Sequence, residues 1–304
     1  MIAIPVSECV PESAEQLVRL DLGGAVWELR SNIRDLRIEL DHRTCEFISR
    51  DSGLADVVVE IDWVDSLIAN HEILFDAGLW RSSTSSDGLQ FDFFTERLGS
   101  DPYKRAVFNA DFSYGRVLLN RRLLSGINSY YPLEYPLDEL ASMHRLGLGH
   151  GIELHSCGLA TKDGRGFLFV GHSGAGKSTL GKNWVQHRGA TILSDDRVVV
   201  TKGDSYRIHG TPWHGEAGLA KNARAHLRAI FLIQHGDVNH AEPLSPGRAA
   251  AELLSRSFVP WYREQNLDFT LRFLQQLTNN IPVYVFRCLP DRSAVEFLER
   301  KYAI

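Results

Sequence analysis

The sequence predicts an α/β domain of alternating strands and helices, preceded by a strand-rich segment. Three observations carry this. From Gly24 to about Asn120 hydrophobic residues recur with period two, the repeat of half-buried strands. After Pro136 apolar runs alternate with helical patterns, as in chains built from βαβ units. A glycine-rich loop, Gly171 to Ser178, lies between one such run and one such helix. The expected division is a first domain over 1–135 and a second over 136–304.

The 304 residues agree with two domains of about 150 residues each. Hydrophobic residues make up 44% and charged residues 23%, which excludes collagen-like, disordered and disulfide-framework chains. No apolar run approaches the roughly 18 residues of a membrane span, and Met1 to Val10 lacks a basic stretch followed by an apolar one. The expectation is a cytoplasmic protein without a membrane partner. Net charge is -5, unevenly spread: residues 1–135 hold 22 acidic and 13 basic side chains, residues 136–304 hold 16 and 20. The mildly basic second part suits phosphate-bearing ligands, but the excess is too small for a nucleic-acid groove, so no nucleic-acid partner is expected. Cys9, Cys45, Cys157 and Cys288 are far apart without a CxxC pair, which reads as buried thiols.

In the first part the alternating segments are Val26–Leu29, Leu36–Leu40, Val57–Ile61 and Leu89–Phe94, each predicted as a strand. The polar stretch Arg81–Gly88 reads as a hairpin loop, and the proline- and tyrosine-bearing stretch 120–136 as the domain boundary. Pro136 and the acids Asp138 and Glu139 open a helix and suit its positive N-terminal dipole. Then follow a buried strand over Gly166–Val170, a helix over Ser178–His187 ended by Gly189, and a strand over Ala190–Leu193, for which a βαβ unit is the simplest account. Further strands are expected at Arg197–Thr201, Ala229–Ile233 and Pro282–Arg287. Further helices are expected at Gly247–Ser257, Asn266–Thr278 and Ser293–Tyr302, the last with Val295, Leu298 and Tyr302 on one face.

The loop Gly171-His172-Ser173-Gly174-Ala175-Gly176-Lys177-Ser178 matches G-x-x-x-x-G-K-[ST], the P-loop pattern, after a predicted strand and before a predicted helix. Such a string arises by chance in roughly one in a hundred chains of this length. Its glycines let successive N–H groups turn toward one anion, and the helix N-terminus adds its dipole there. Residues 171–179, ending at Thr179, are therefore the candidate ATP phosphate site. Lys177 is positioned for the β- and γ-phosphates, and Ser178 for the magnesium ion that bridges them. Ser194-Asp195-Asp196-Arg197 puts two carboxylates at the C-terminal end of the next strand, where ligands of α/β sheets bind. One can hold magnesium and the other can accept the proton of an incoming hydroxyl. Adjacent acids on an extended segment point to opposite sides, so their roles should differ.

His155, the P-loop and Leu193-Ser194-Asp195-Asp196-Arg197-Val198 together resemble the catalytic domain of HPr kinase/phosphorylase over about residues 150–300. The chain looks closer still to an HPr-kinase-related branch, through Leu154-His155-Ser156, Gly210-Thr211-Pro212-Trp213-His214-Gly215 and Pro282-Val283-Tyr284-Val285-Phe286. The resemblance implies a P-loop kinase fold related to ATP-type phosphoenolpyruvate carboxykinase, with ATP and Mg2+ as cofactors. It implies Asp195 as base, Lys177 as phosphate lysine, His155 beside the transferring phosphoryl group, and Ser178, Asp196 and Glu216 at the metal. Some members of the branch accompany peptide-modifying gene sets, where the target is a peptide serine. The resemblance stops at the P-G-R-N stretch tied to the reverse reaction, since the corresponding residues here are Cys288-Leu289-Pro290-Asp291-Arg292-Ser293.

The expected activity is transfer of the γ-phosphoryl group of ATP to a hydroxyl, on a peptide or protein serine. A kinase of a free small-molecule alcohol and a non-catalytic ATP-binding regulator stay open as alternatives, as does a homo-oligomer. Arg197 and Arg228 are candidate charge stabilisers. His209, His214, His226, His235 and His240 match no closed zinc spacing and read as solvent-exposed histidines. Trp213, flanked by Pro and Gly, either shapes a ligand pocket or packs on its own domain. Tyr130-Tyr131 and Trp261-Tyr262 are candidates for an interface.

Overall fold

A computed structural model describes residues 16–31, 33–69, 72–215 and 217–302. The chain forms two units, one made of the residues up to Asp21 and Ala25–Arg145, the other of Leu22–Gly24 and the residues from Leu146 onward. No helix among the described residues is long and apolar enough to cross a membrane.

The first unit contains β1 (Gln16–Leu22), β2 (Ala25–Ser31), β3 (Arg37–Ile38), α1 (His42–Cys45), β4 (Val57–Val64), β5 (Phe75–Asp76) and β6 (Trp80–Ser85). It continues with β7 (Gly88–Phe93), β8 (Lys104–Phe108), β9 (Tyr114–Asn120), β10 (Ser129–Tyr130) and α2 (Leu137–Arg145). Its sheet runs in the order β1-β2-β4-β9-β8-β7-β6-β5. β4 is parallel to β2 and β9, whereas β9 through β5 pair antiparallel. Period-two burial places Val57, Val59 and Ile61 in the core.

Two expectations for this unit change. Arg81–Ser85 is strand, not loop, because each of its residues pairs with one of Gly88–Asp92 and only Ser86 and Asp87 turn. The low strand propensity of serine yields to cross-strand pairing against an apolar neighbour. Of Leu36–Leu40 only Arg37 and Ile38 pair, with β10, although Leu36, Ile38 and Leu40 are all buried. The division of the chain also falls between Arg145 and Leu146 rather than at 135/136. α2 belongs to the first unit because His144 stacks on Phe112 and meets the edge of Phe91, each with ring centroids 5.2 Å apart.

The second unit begins with β11 (Ile152–Ala160), β12 (Arg165–Val170), α3 (Lys177–Arg188), β13 (Thr191–Ser194), β14 (Arg197–Lys202) and β15 (Tyr206–His209). It ends with β16 (Arg224–His235), β17 (His240–Pro243), α4 (Pro246–Leu254), β18 (Ser257–Phe258), α5 (Glu264–Asn280), β19 (Val283–Cys288) and α6 (Arg292–Tyr302). The order is β12-β11-β14-β15-β16-β19-β17, and β12 also pairs with β16, so the first five strands close on themselves. Strands β12 and β13 flank β11, each antiparallel to it. The β12-α3-β13 unit is thus split by a strand that sequence periodicity left unassigned.

Both faces of this sheet are covered. Leu168 and Val170 share a cluster with Leu253 of α4 and Phe273, Leu274 and Leu277 of α5. Phe167 and Phe169 share another with Leu180 and Trp184 of α3 and Val295 and Leu298 of α6. Burial on both sides is why β12 reads as an unbroken apolar run. Tyr302 is half-buried against the same cluster.

Candidate functional site

Strand register builds the site. β12 lies between β11 and β16, and its last residue, Val170, pairs with Ser156 on one side and Leu232 on the other. The chain leaving β12 therefore emerges beside His155 of β11 and beside the end of β16. His155 in turn pairs across β11–β14 with Arg197. The glycine-rich loop, His155 and the acids before β14 are brought together although they are far apart in sequence.

The loop turns on Gly174 and Gly176, with φ of 78° and 95°, a region that side chains with a Cβ avoid. Gly176 caps α3, whose far end is capped by Gly189. Lys177 is buried and its Nζ donates to the carbonyls of Gly171 at 2.8 Å and His172 at 3.2 Å. Burial lowers its pKa, and the Asp196 charge opposes that shift.

Ser194 organises the acids: its Oγ accepts from the N–H groups of Asp196 and Arg197 and lies 3.4 Å from the Trp213 carbonyl. Asp195 is buried and its two oxygens accept from the N–H groups of Gly215 at 2.9 Å and Ala217 at 3.1 Å. Asp196 turns elsewhere, toward His155 Nε2 at 3.0 Å and the Arg197 guanidinium. Burial alone would raise the Asp196 pKa, but the His155 hydrogen bond and the charges of Arg197, His155 and Lys177 outweigh it and hold it below the usual carboxylate value. Arg197 also lies 4.7 Å from the Phe258 ring centroid and 3.7 Å from Glu153.

These groups line one open cleft of about 490 Å3 that includes His155, Ser173 to Thr179, Asp195, Asp196, Gly215 and Ala217. A family model described as ScmC, SynChlorMet cassette protein ScmC, matches residues 140–296, just over half of the chain and all of this cleft. The chain belongs to the ScmC family. No curated protein matches it. The family description names a cassette and no reaction, so the chemistry of this ScmC chain has to be argued from its cleft.

Of the sequence-predicted residues, Gly171 and His172 stand outside the lining. Gly171 is the close-approach point, where a Cβ would come within 2.9 Å of Ala175. Glu216 lies outside the described residues. Arg228 is exposed on β16 and does not line the cleft. Trp213 packs inside its own unit with Leu146 and Val199.

His209 departs from expectation, while His235, exposed as expected, and Arg256 reach the loop through contacts that no motif announced. His209 is buried, not solvent-exposed: its Nε2 is 2.8 Å from Thr201 Oγ1, and burial together with Arg224 and Arg207 pushes its pKa down to about 4. His235, three residues past the Val170 register on β16, donates from Nε2 to the Gly174 carbonyl at 2.9 Å and so steadies the loop. Arg256, which carries no motif, donates to His172 Nε2 at 3.0 Å, while its own carbonyl accepts from His155 N–H. Its position follows from β18 pairing with Glu153 and Leu154. Among the cysteines, Cys157 and Cys288 are buried, Cys45 is half-buried and Cys9 lies outside the described residues.

A magnesium ion carried on phosphates needs only one or two protein oxygens, the rest of its octahedron being phosphate and water. Ser178 and Asp196 supply hard oxygen ligands on the same cleft, so the residues present fit that ion. Among the described residues no cluster of three His, Cys, Asp or Glu side chains forms a self-sufficient metal cage.

Proposed function

We propose that this chain is a magnesium- and ATP-dependent kinase that transfers the γ-phosphoryl group to a hydroxyl, most simply a serine of a peptide or protein. The observation that carries the reading is the convergence of the glycine-rich loop and the Asp195-Asp196 pair on one cleft, each acid with a different set of partners. The resemblance of these motifs to HPr kinase/phosphorylase supports the same reading, with the α/β unit as a P-loop kinase domain.

The loop amides and the N-terminus of α3 bind the phosphates, and Lys177 exchanges its loop carbonyls for phosphate oxygens. Ser178 and Asp196 would hold magnesium, which would supply positive charge against the phosphate oxygens. Asp195, fixed by two backbone N–H groups, accepts the acceptor's hydroxyl proton as that oxygen bonds to the γ-phosphorus and the bond to the ADP oxygen breaks. His155, oriented by Asp196 on the cleft, offers a hydrogen bond where charge develops, and Arg256 steadies the loop through His172.

The test is labelled ATP incubated with a serine-containing peptide pool and, separately, with a metabolite pool. Asp195→Asn should retain ATP binding and lose about 10²- to 10⁴-fold in turnover, the usual contribution of a positioned base. Lys177→Ala should lose transfer altogether. Wild-type turnover in Asp195→Asn would remove Asp195 as the base, and ATP binding without label on any acceptor would point to a nucleotide-holding regulator instead.

A further inference from the structure

We propose that Glu153 is a positioning residue of the cleft: the counter-charge that keeps Arg197 from neutralising Asp196, and so leaves Asp196 able to take a magnesium ion. The inference rests on the magnesium and nucleotide reading of the cleft and adds to it a residue outside every motif. Glu153 is not among the described residues that line the cleft, and neither is Arg197.

Strand register puts the groups involved on one face. Residues two apart in a strand point the same way, and residues directly opposite in a ladder share a face. Glu153 and His155 are two apart on β11. Across the ladders His155 meets Arg197 of β14, and Glu153 meets Phe258 of β18. Leu154, between the two, points the other way and packs with Val198 and Val200 in the hydrophobic cluster under α4 and α5.

The Glu153 side chain is 0% exposed, and Arg197 Nε lies 3.7 Å from its Oε1. A carboxylate buried so completely is kept only beside an opposite charge. The same guanidinium bonds Asp196 Oδ2 and lies 4.7 Å from the Phe258 ring centroid, while Asp196 Oδ1 is 3.0 Å from His155 Nε2. One cation thus stands between two carboxylates, the buried Glu153 and the cleft residue Asp196. Without the Glu153 charge, the whole attraction of Arg197 falls on Asp196, beside the further cation Lys177 on the same cleft. A metal ion seeking Asp196 would then compete against an undivided guanidinium charge.

The experiment is calorimetric titration of the full chain with ATP, without metal and across a series of Mg2+ concentrations. Glu153→Gln should raise the Mg2+ concentration for half-maximal enhancement of ATP binding by about fivefold or more. Metal-free ATP should bind it at least as tightly as it binds the wild type, because a negative charge near the cleft is gone. Glu153→Met, similar in volume, carries the same expectation where the amide variant does not fold. Glu153→Gln/Arg197→Gln, which removes both charges, should return the Mg2+ requirement to within about twofold of wild type. Equal losses of metal-free and Mg2+-dependent binding in Glu153→Gln would mark a merely structural residue and overturn the proposal. An unchanged Mg2+ requirement would do the same, as would a double variant no better than Glu153→Gln, since the effect would then not pass through Arg197. These outcomes leave the kinase reading standing, whereas a wild type that binds no ATP with or without Mg2+ overturns both.

Discussion

At neutral pH the His209 ring is uncharged, because burial and the neighbouring Arg224 and Arg207 push its ionisation down to about 4, against 6.5 for the free side chain. Between those values the unfolded chain binds a proton that the folded chain refuses, so stability rises with pH through that window. The stabilisation is fully present above pH 6.5 and is lost as pH falls toward 4. The wild type should lose about 2 kcal/mol between pH 7 and pH 5. Urea midpoints at the two pH values check this, and His209→Gln, which keeps a polar group near Thr201, should lack the slope. The same scale separates legible from hidden site residues. Lys177, Asp195 and Asp196 sit in local patterns whose chemistry is readable from adjacent letters. Arg256 and His235 reach the loop only through the pairing of β18 with β11 and of β16 with β12, which no local pattern encodes.

At the scale of elements, α3 is bounded by two glycines with left-handed backbone that do different work. Gly176 shapes the glycine-rich loop at φ 95° and Gly189 closes the helix at φ 61°, donating its N–H to the Val185 carbonyl. An alanine at either position costs about 1–2 kcal/mol of backbone strain. Gly176→Ala should in addition weaken ATP binding at least tenfold, whereas Gly189→Ala should leave it unchanged, as calorimetric titration of both variants would reveal. Elements such as β12 and α3 are legible because burial and caps are local properties. β6 is not, since Ser82 and Ser83 are buried through pairing with β7 rather than through their own hydrophobicity. α2 is legible as a helix, yet its allegiance to the first unit rests on His144 meeting Phe91 and Phe112, contacts between distant segments.

For the whole molecule, the charge split sets an ionic-strength dependence. On the proposed reading, the 20 basic against 16 acidic residues of 136–304 add a charge attraction for ATP phosphate to the local loop contacts. Screening removes that attraction once the Debye length falls below about 10 Å. ATP affinity measured by calorimetry should therefore fall severalfold between about 0.05 and 0.5 M salt, with the larger share of binding surviving as short-range hydrogen bonds. By itself the sequence determined the strand-rich and α/β textures, the glycine-rich loop and its acidic companions, because periodicity, glycine backbone freedom and clustered charge are properties of neighbouring residues. Only the tertiary structure decided that β11 splits the β12-α3-β13 unit, that His155 faces Asp196, that Asp195 grips the Gly215–Ala217 backbone, and that α2 joins the first unit. Those outcomes depend on strand register and on which apolar faces bury each other, which arise between segments far apart in the chain.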